Sequence, residues 1–483
     1  MTKQRGSRAM ARAKIEFLSK EEIERIRNTS MRILEDVGLV IHSNSVREML
    51  LKAGASKTRD GKRILLPESL VTSAVRSAPR SMLLAARDKA WDMKIPTEGR
   101  TYLANGGEGV FVKDLLTGES RYANSDDVRD FTIFTNETPQ VDFWWTMVGA
   151  VDQPNHLKYL MEIKTGFEHT VKHIQAMAGN AAEARRSVEM SSELAGGEDA
   201  LAKRPILSAC LCPISPLTFE EGMTEAQVEY ARAGIPVVAM VAAVAGLTAP
   251  VTLSGAMAQV NAENLASLTI TQVAKKGAPW IYSSDTSAGD LKTGSIDYRA
   301  FETCLLRAGQ GQIGRSYGFP TMVSAIGLED VSSLLGSVEE GVPYMVPQVL
   351  VDSDFASGIG GVEQAAGGSY ELFVADAWVY DAAKRFVRDF EMDEAAISFE
   401  TVSAAALDAN FLGKRHTISR FKKEFCSTVH PEATLGGPAK IRPQGELIRK
   451  ASLRAKEILK KPKDILVSKD ESERMERIIR SVR

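Results

Sequence analysis

Cysteine is scarce in this 483-residue chain, with four residues at positions 210, 212, 304 and 426. Thiols so few and so scattered do not build a disulfide framework, and they point to a reducing compartment, the cytoplasm. Net charge is nearly absent too: a formal −2 argues against nucleic acid as the main partner. Long apolar runs are missing, because polar residues, glycines and prolines interrupt each one before it reaches membrane-spanning length. Five Lys and Arg stand among the first fourteen residues with no apolar core behind them, the pattern of a solvated basic tail and not of a secretory signal. The chain shows no internal repeat and no low-complexity tract. It also lacks a G-x-S-x-G elbow, an H-E-x-x-H pair and a P-loop, so serine hydrolysis and metallohydrolysis lose their usual signals.

What is present is an ordinary globular composition, 44% hydrophobic and 25% charged, long enough for several domains or for one barrel with additions. Residues 235–275 organise the rest. Ile235-Pro236 leads into an unbroken apolar run at 237–245, a loop follows at 246–250, and a long helical pattern comes after it. An apolar run of that length, bounded by Pro and Gly, suits a parallel strand buried on both faces. Thr252 or Ser254 caps the helix, and Ala258, Ala262, Leu265, Ala266 and Val273 fall on one side of it at helical spacing. Strand, loop and helix make one β/α unit, whose loop lies at the end where such folds place their chemistry.

Ahead of this unit, residues 19–97 read as helices. Ser19 and Glu22 form a capping box, Ile23, Ile26, Ile33, Leu34 and Val37 line one face, and Gly38 stops the helix. Between 102 and 114 the pattern turns extended around Asn105-Gly-Gly, as a hairpin or a short strand. Strand-like runs follow at 141–148, 173–177, 206–211, 237–244, 280–283, 321–325 and 355–359, with helical stretches between them. These runs suggest a (β/α)8 TIM-type barrel, an α/β fold, whose eighth strand has 102–112 as its candidate; an open doubly wound sheet is the alternative. The expected organisation is an N-terminal helical region at 1–97, a barrel at 98–435 and a charged helical extension at 436–483. That extension is either a solvated helix packed outside the barrel or an oligomer contact.

Among the motifs, Gly309-Gln-Gly311-Gln-Ile-Gly314 matches the dinucleotide fingerprint. A helix precedes it and a strand follows it, the reverse of the order that aims amides at a pyrophosphate. Cys210 and Cys212 end a strand and point to the same side; zinc would need two further ligands, and buried strand cysteines are the plainer reading. His173 opens a strand, at the end of a barrel given over to stability, and His416 sits late in the chain as a candidate lid contact.

A set of aromatic and acidic residues remains near strand ends. Trp144 and Trp145 are neighbours on one run and face opposite ways, so at most one points inward. Tyr282 and Asp285 stand at and just after the end of the 280–283 run, Phe355 opens the last run, and Tyr102 and Glu108 flank Asn105. Ring faces with nearby carboxylates are what a quaternary ammonium requires, since it donates no hydrogen bond. In the glycine-rich 358–368 stretch, Gly360 and Gly361 aim backbone amides at an anion such as a betaine carboxylate, with Glu363 toward the ammonium end. Core packing and tight turns explain these residues one at a time. Together they are the candidate substrate-binding set, and no catalytic side chain stands out.

The segment 246–255 (GLTAPVTLSG), with Gln259, Ala262 and Glu263, resembles the trimethylamine methyltransferase family of corrinoid-dependent enzymes. Further matching pieces are 33–38 (ILEDVG), 53–55 (AGA), Leu66-Pro67, Ala78-Pro79, 114–118 (DLLTG), 215–217 (SPL), 277–282 (GAPWIY) and His416-Thr417. The resemblance implies a barrel in preference to the open sheet. It also implies methyl transfer to a cob(I)alamin-type cofactor carried on a separate small corrinoid-binding protein, with no cofactor or metal bound tightly by this chain. Family members acting on trimethylamine contain pyrrolysine, whereas the matching loop here, 324–330 (SAIGLED), holds ordinary residues. That departure implies the branch acting on quaternary amines such as glycine betaine. The expectation is a quaternary-amine:corrinoid methyltransferase, a cytoplasmic homo-oligomer without nucleic acid or membrane partners. Two other readings stand beside it: a barrel that binds quaternary amines without turnover, and a zinc-dependent methyltransferase using Cys210 and Cys212.

Overall fold

The apolar runs become strands of one closed sheet. The structure is a computed structural model and describes residues 10–11, 14–324, 338–388, 390–405, 410–424 and 445–482. Its barrel strands are β1 (Tyr102–Asn105), β2 (Phe143–Trp145), β3 (His173–Ala176), β4 (Leu207–Leu211), β5 (Val237–Val241), β6 (Trp280–Ser284), β7 (Thr321–Val323) and β8 (Phe355–Ile359). Neighbours pair in parallel in chain order and β8 returns to β1, which excludes the open sheet. The eighth strand is the 102–112 candidate, and it comes first in the chain.

The Leu253–Ala274 helix that follows β5 is buried nearly all round, not on the single face its spacing predicts. The cause lies upstream: the helices Lys20–Arg32 and Glu68–Ser77 lie across it and cover the side that would otherwise meet water. Its polar groups bond inward instead. Asn261 Nδ2 donates to Ser30 Oγ (2.9 Å) and Asn264 Nδ2 to the Ser283 carbonyl (3.0 Å), tying the helix to both layers. The Ser19–Glu22 capping box forms, while Thr252 takes the N-cap position without a side-chain bond.

One end of the barrel is closed. The antiparallel strands Met82–Leu84 and Met93–Ile95 place Leu84, Met93 and Ile95 in one interior cluster with Tyr102, Phe143, Val238, Ile281 and Phe355. The 1–97 region therefore supplies a hairpin to the barrel as well as helices around it. Late in the chain, the Glu446–Leu459 helix packs on Ser125–Glu137 and Tyr370–Ala383, and Lys469–Arg480 packs on Asn155–His169 and Ala181–Ala195, all outside the barrel. The expected boundary at 435/436 lies outside the described residues. The fingerprint glycines sit within the Phe301–Ser316 helix, where a Cβ on Gly314 would come 2.7 Å from Thr321 Cγ2 and 2.8 Å from the Tyr282 ring. Gly314 serves close helix–sheet packing, and Gly309 close packing on Met257 of the Leu253–Ala274 helix. Among the described residues no helix is long and apolar enough to cross a membrane.

Candidate active site

Strand alternation decides which side chains meet inside the barrel. On β2, Trp144 points outward against Gly166 of the Asn155–His169 helix, and Trp145 points inward. The Trp145 indole lies against Gly106, where φ is +133° and a Cβ would come 2.6 Å from Trp145 Cδ2. Only glycine fits that contact. Beyond it the carboxyl ends of the strands surround a pocket that opens to solvent at its mouth. Its lining includes Gly106, Gly107, Trp145 and Met147 from one side and Asp285, Tyr298 and Arg307 from the other, with Ser324, Ser357, Gly358, Gly361, Ala365 and Gly367 completing the wall.

Asp285 and Arg307 form the charged side of this wall. Arg307 reaches in from the Phe301–Ser316 helix, almost fully buried, and its Nη2 lies 2.5 Å from Asp285 Oδ1. The same guanidinium donates to the Thr286 carbonyl (3.2 Å), Ser287 Oγ (3.2 Å) and the Ser324 carbonyl (3.4 Å), and lies 5.2 Å from the centre of the Tyr298 ring. Asp285 is the more exposed partner, so the pair presents its carboxylate to the pocket. Arg307 and Tyr298 were not among the sequence candidates. A signal for Arg307 existed: it is the single charge in residues 303–313.

Glu108 belongs to a second, buried group beside the pocket. With φ at +50° it stands in the left-handed region, and its carboxylate meets Lys158 Nζ at 2.9 Å. Glu162, one turn along from Lys158, accepts from the Ala150 amide (3.0 Å). Burial, then the Glu108 charge, push the Glu162 carboxyl up to about 8; burial also raises Glu108, against the pull of Lys158. Two acids thus face one lysine next to Gly107.

The remaining candidates lie elsewhere. Tyr102 and Phe355 have the correct inward side but the wrong end: their rings are 5.9 Å apart at the closed floor, with Arg100 over Tyr102. Tyr282 points outward and donates to Gln310 Oε1 (2.5 Å). Asn105 is spent on bonds to the Trp145 backbone and Thr135. The Gly360 amide is bonded to Asp376 Oδ2 (2.8 Å) and a Cβ there would meet Phe373 at 3.0 Å, so no anion fits at that amide. Glu363 accepts from Ser120 Oγ (2.5 Å) on the outer sheet formed by Gly361–Val362, Gly367–Ser369, Phe111–Lys113 and Ser120–Tyr122. Gly361 does line the pocket, as do Trp145 and Asp285. His416, on the Arg415–Glu424 helix, is not part of its lining. All but Ser324 of the 324–330 loop lies outside the described residues. Cys210 is buried within the barrel beside Cys212, and burial drives its thiol well up. Among the described residues no three His, Cys, Asp or Glu side chains gather as a metal site.

Fold and pocket together define a (β/α)8 barrel with a ring-and-acid cavity at the carboxyl ends of its strands. Over residues 2–480 the chain matches the trimethylamine methyltransferase family model, and it belongs to that family. A trimethylamine methyltransferase of Desulfitobacterium hafniense (strain DSM 10664 / DCB-2) is 27% identical over 409 residues, 84% of this chain and 82% of the relative. A glycine betaine methyltransferase of Desulfitobacterium hafniense (strain Y51) is 26% identical over 415 residues, 85% of this chain and 86% of the relative. The crystal structure of a Methanosarcina barkeri monomethylamine methyltransferase shares the fold, with TM-score 0.51 and 9% identity over 91% of this chain and 93% of that one.

Proposed function

We propose that this protein moves a methyl group from a quaternary amine of the betaine class to the reduced corrinoid of a separate small protein. The observation that carries the reading is the Trp145 ring face, seated on Gly106, sharing a pocket with Tyr298 and Asp285 at the open end of the barrel. Such rings attract an ammonium by about 0.5–2 kcal/mol each, and a fixed carboxylate adds to it. Asp285 is fixed by Arg307. The relative named for glycine betaine, and the ordinary residues at 324–330, support the quaternary-amine branch.

A quaternary nitrogen is already positive, so it departs as a neutral tertiary amine without a proton or a covalent activator. The partner's corrinoid, when reduced, supplies the nucleophile. What this chain contributes is alignment of one methyl with the mouth and exclusion of water around it. Exposed apolar side chains on the loops at that end suit a docked protein: Leu116 and Tyr122 after β1, Val151 after β2, Val251 after β5 and Leu291 after β6. A cytoplasmic homo-oligomer belongs to the same reading.

The test is anaerobic incubation with a purified, reduced corrinoid protein and a panel of betaines. Release of the demethylated amine together with a change in the corrinoid absorption spectrum is the expected result. If every betaine binds and none is turned over, the barrel is a binding protein and the proposal fails.

A further inference from the structure

We infer that the floor of the pocket is an uncharged recognition site for a hydrogen-bond acceptor at the end of the substrate remote from its nitrogen. This rests on the reading of the mouth as an ammonium site and names what the rest of the substrate must carry. Three buried side-chain atoms, Trp145 Nε1, Gln175 Nε2 and Ser357 Oγ, meet no hydrogen-bond partner among the described residues. Buried polar groups in folded proteins are almost always paired, so such a cluster calls for an explanation. All three can donate, and an indole N–H and an amide NH2 can do nothing else.

Their positions turn them toward the barrel interior. Trp145 and Gln175 are register partners on β2 and β3 and so stand side by side. Ile174 and Ala176 belong to the outer core with the helices, which turns Gln175 inward. Ser357 lies on β8, across β1, and lines the pocket with Trp145. On the intervening strand and its exit, the inward positions are Ala104 and Gly106, and the Trp145 ring itself covers Gly106. Donors without an acceptor thus face the interior from β2, β3 and β8, and a carboxylate oxygen can receive several of them at once.

Arg307 is the obvious competitor for a carboxylate, but its N–H groups are committed to Asp285, Thr286, Ser287 and Ser324. With the acceptor on the floor and the nitrogen beside Asp285, one methyl faces the mouth. The substrate class is therefore a quaternary amine with a carboxylate a short chain away. Tetramethylammonium offers the floor nothing.

Calorimetric binding of glycine betaine, proline betaine, carnitine, γ-butyrobetaine and tetramethylammonium to the full-length protein tests this. Wild type is compared with Ser357→Ala, Gln175→Met and Arg307→Lys. The best betaine should bind wild type at least about tenfold tighter than tetramethylammonium, and Ser357→Ala and Gln175→Met should each cut that ratio by about tenfold. Tetramethylammonium affinity should not change in these two variants, which also reports that they fold; if Gln175→Met does not fold, Ser357→Ala decides. An unchanged ratio in the floor variants, or loss of the preference in Arg307→Lys alone, overturns the inference. Wild type that binds tetramethylammonium as well as any betaine overturns it while leaving the methyl-transfer proposal standing. Wild type that binds none of the panel overturns both.

Discussion

The Ser215 hydroxyl lies 2.6 Å from the Glu263 carboxylate, joining the turn after β4 to the buried helix after β5 across 48 residues of sequence. The Leu217 amide and Gln259 Nε2 complete the set, each at 2.9 Å. Burial raises the Glu263 carboxyl, and these donors offset part of that cost. Two pieces of the sequence resemblance, 215–217 and 259–263, are thus one hydrogen-bonded unit beneath the loops of the barrel mouth. Ser215→Ala should lower stability by about 1–3 kcal/mol, because it leaves a buried carboxylate short of a donor. Urea titration reads this directly; a midpoint equal to wild type would remove the network from the account.

The Gly106–Trp145 contact makes a second prediction. Gly106→Ala places a methyl against the fused ring and asks alanine to adopt a φ that L residues rarely reach. The ring must turn, and the cation site loses its face. Betaine binding should weaken by an amount near the worth of one ring, about 0.5–2 kcal/mol. Titration calorimetry on the folded variant checks it, and wild-type affinity would contradict the assignment of Trp145.

Lys172 governs stability and not the site. Its buried ammonium donates to the carbonyls of Thr135 (2.6 Å), Thr138 (3.0 Å) and Val141 (2.6 Å), at the end of the Ser125–Glu137 helix, with the Trp91 ring 3.9 Å away. Lys172→Met strands three acceptors and should cost about 3 kcal/mol or more. The thermal midpoint should fall by several degrees while betaine affinity at low temperature is retained.

How far the site was legible follows from two geometric facts. Period-two alternation fixes which strand residues share a face: Tyr282 and Asp285 are three apart, so they could never both point inward along one strand. Asp285 continues the inward set of Ile281, and Tyr282 continues the outward set of Trp280. Height along the barrel is the second fact, and alternation says nothing about it. Tyr102 and Phe355 pass the first test and fail the second, because they begin their strands where Trp145 ends its own. The barrel itself was readable, since fully buried parallel strands leave long apolar runs such as 237–244. Arg307 was not, because it enters from a helix whose register against the sheet only packing determines.

Acidity should change stability through Glu162. Its folded carboxyl titrates near 8, against 4.5 for an unperturbed one, so the folded state holds a proton that the unfolded chain gives up. Stability from this group is complete below about pH 4.5 and is lost as pH rises through about 8. Glu162→Gln keeps the acceptor for the Ala150 amide and cannot ionise. The wild-type unfolding midpoint should therefore fall relative to the variant's between about pH 5 and pH 9; parallel curves would place the proton elsewhere.

Single-turnover demethylation tests the central claim most directly, comparing glycine betaine and its relatives with trimethylamine under the same reduced corrinoid protein. A pocket that relies on a pre-charged nitrogen should yield the tertiary amine from a betaine and leave trimethylamine untouched. Demethylation of trimethylamine at a comparable rate would contradict it.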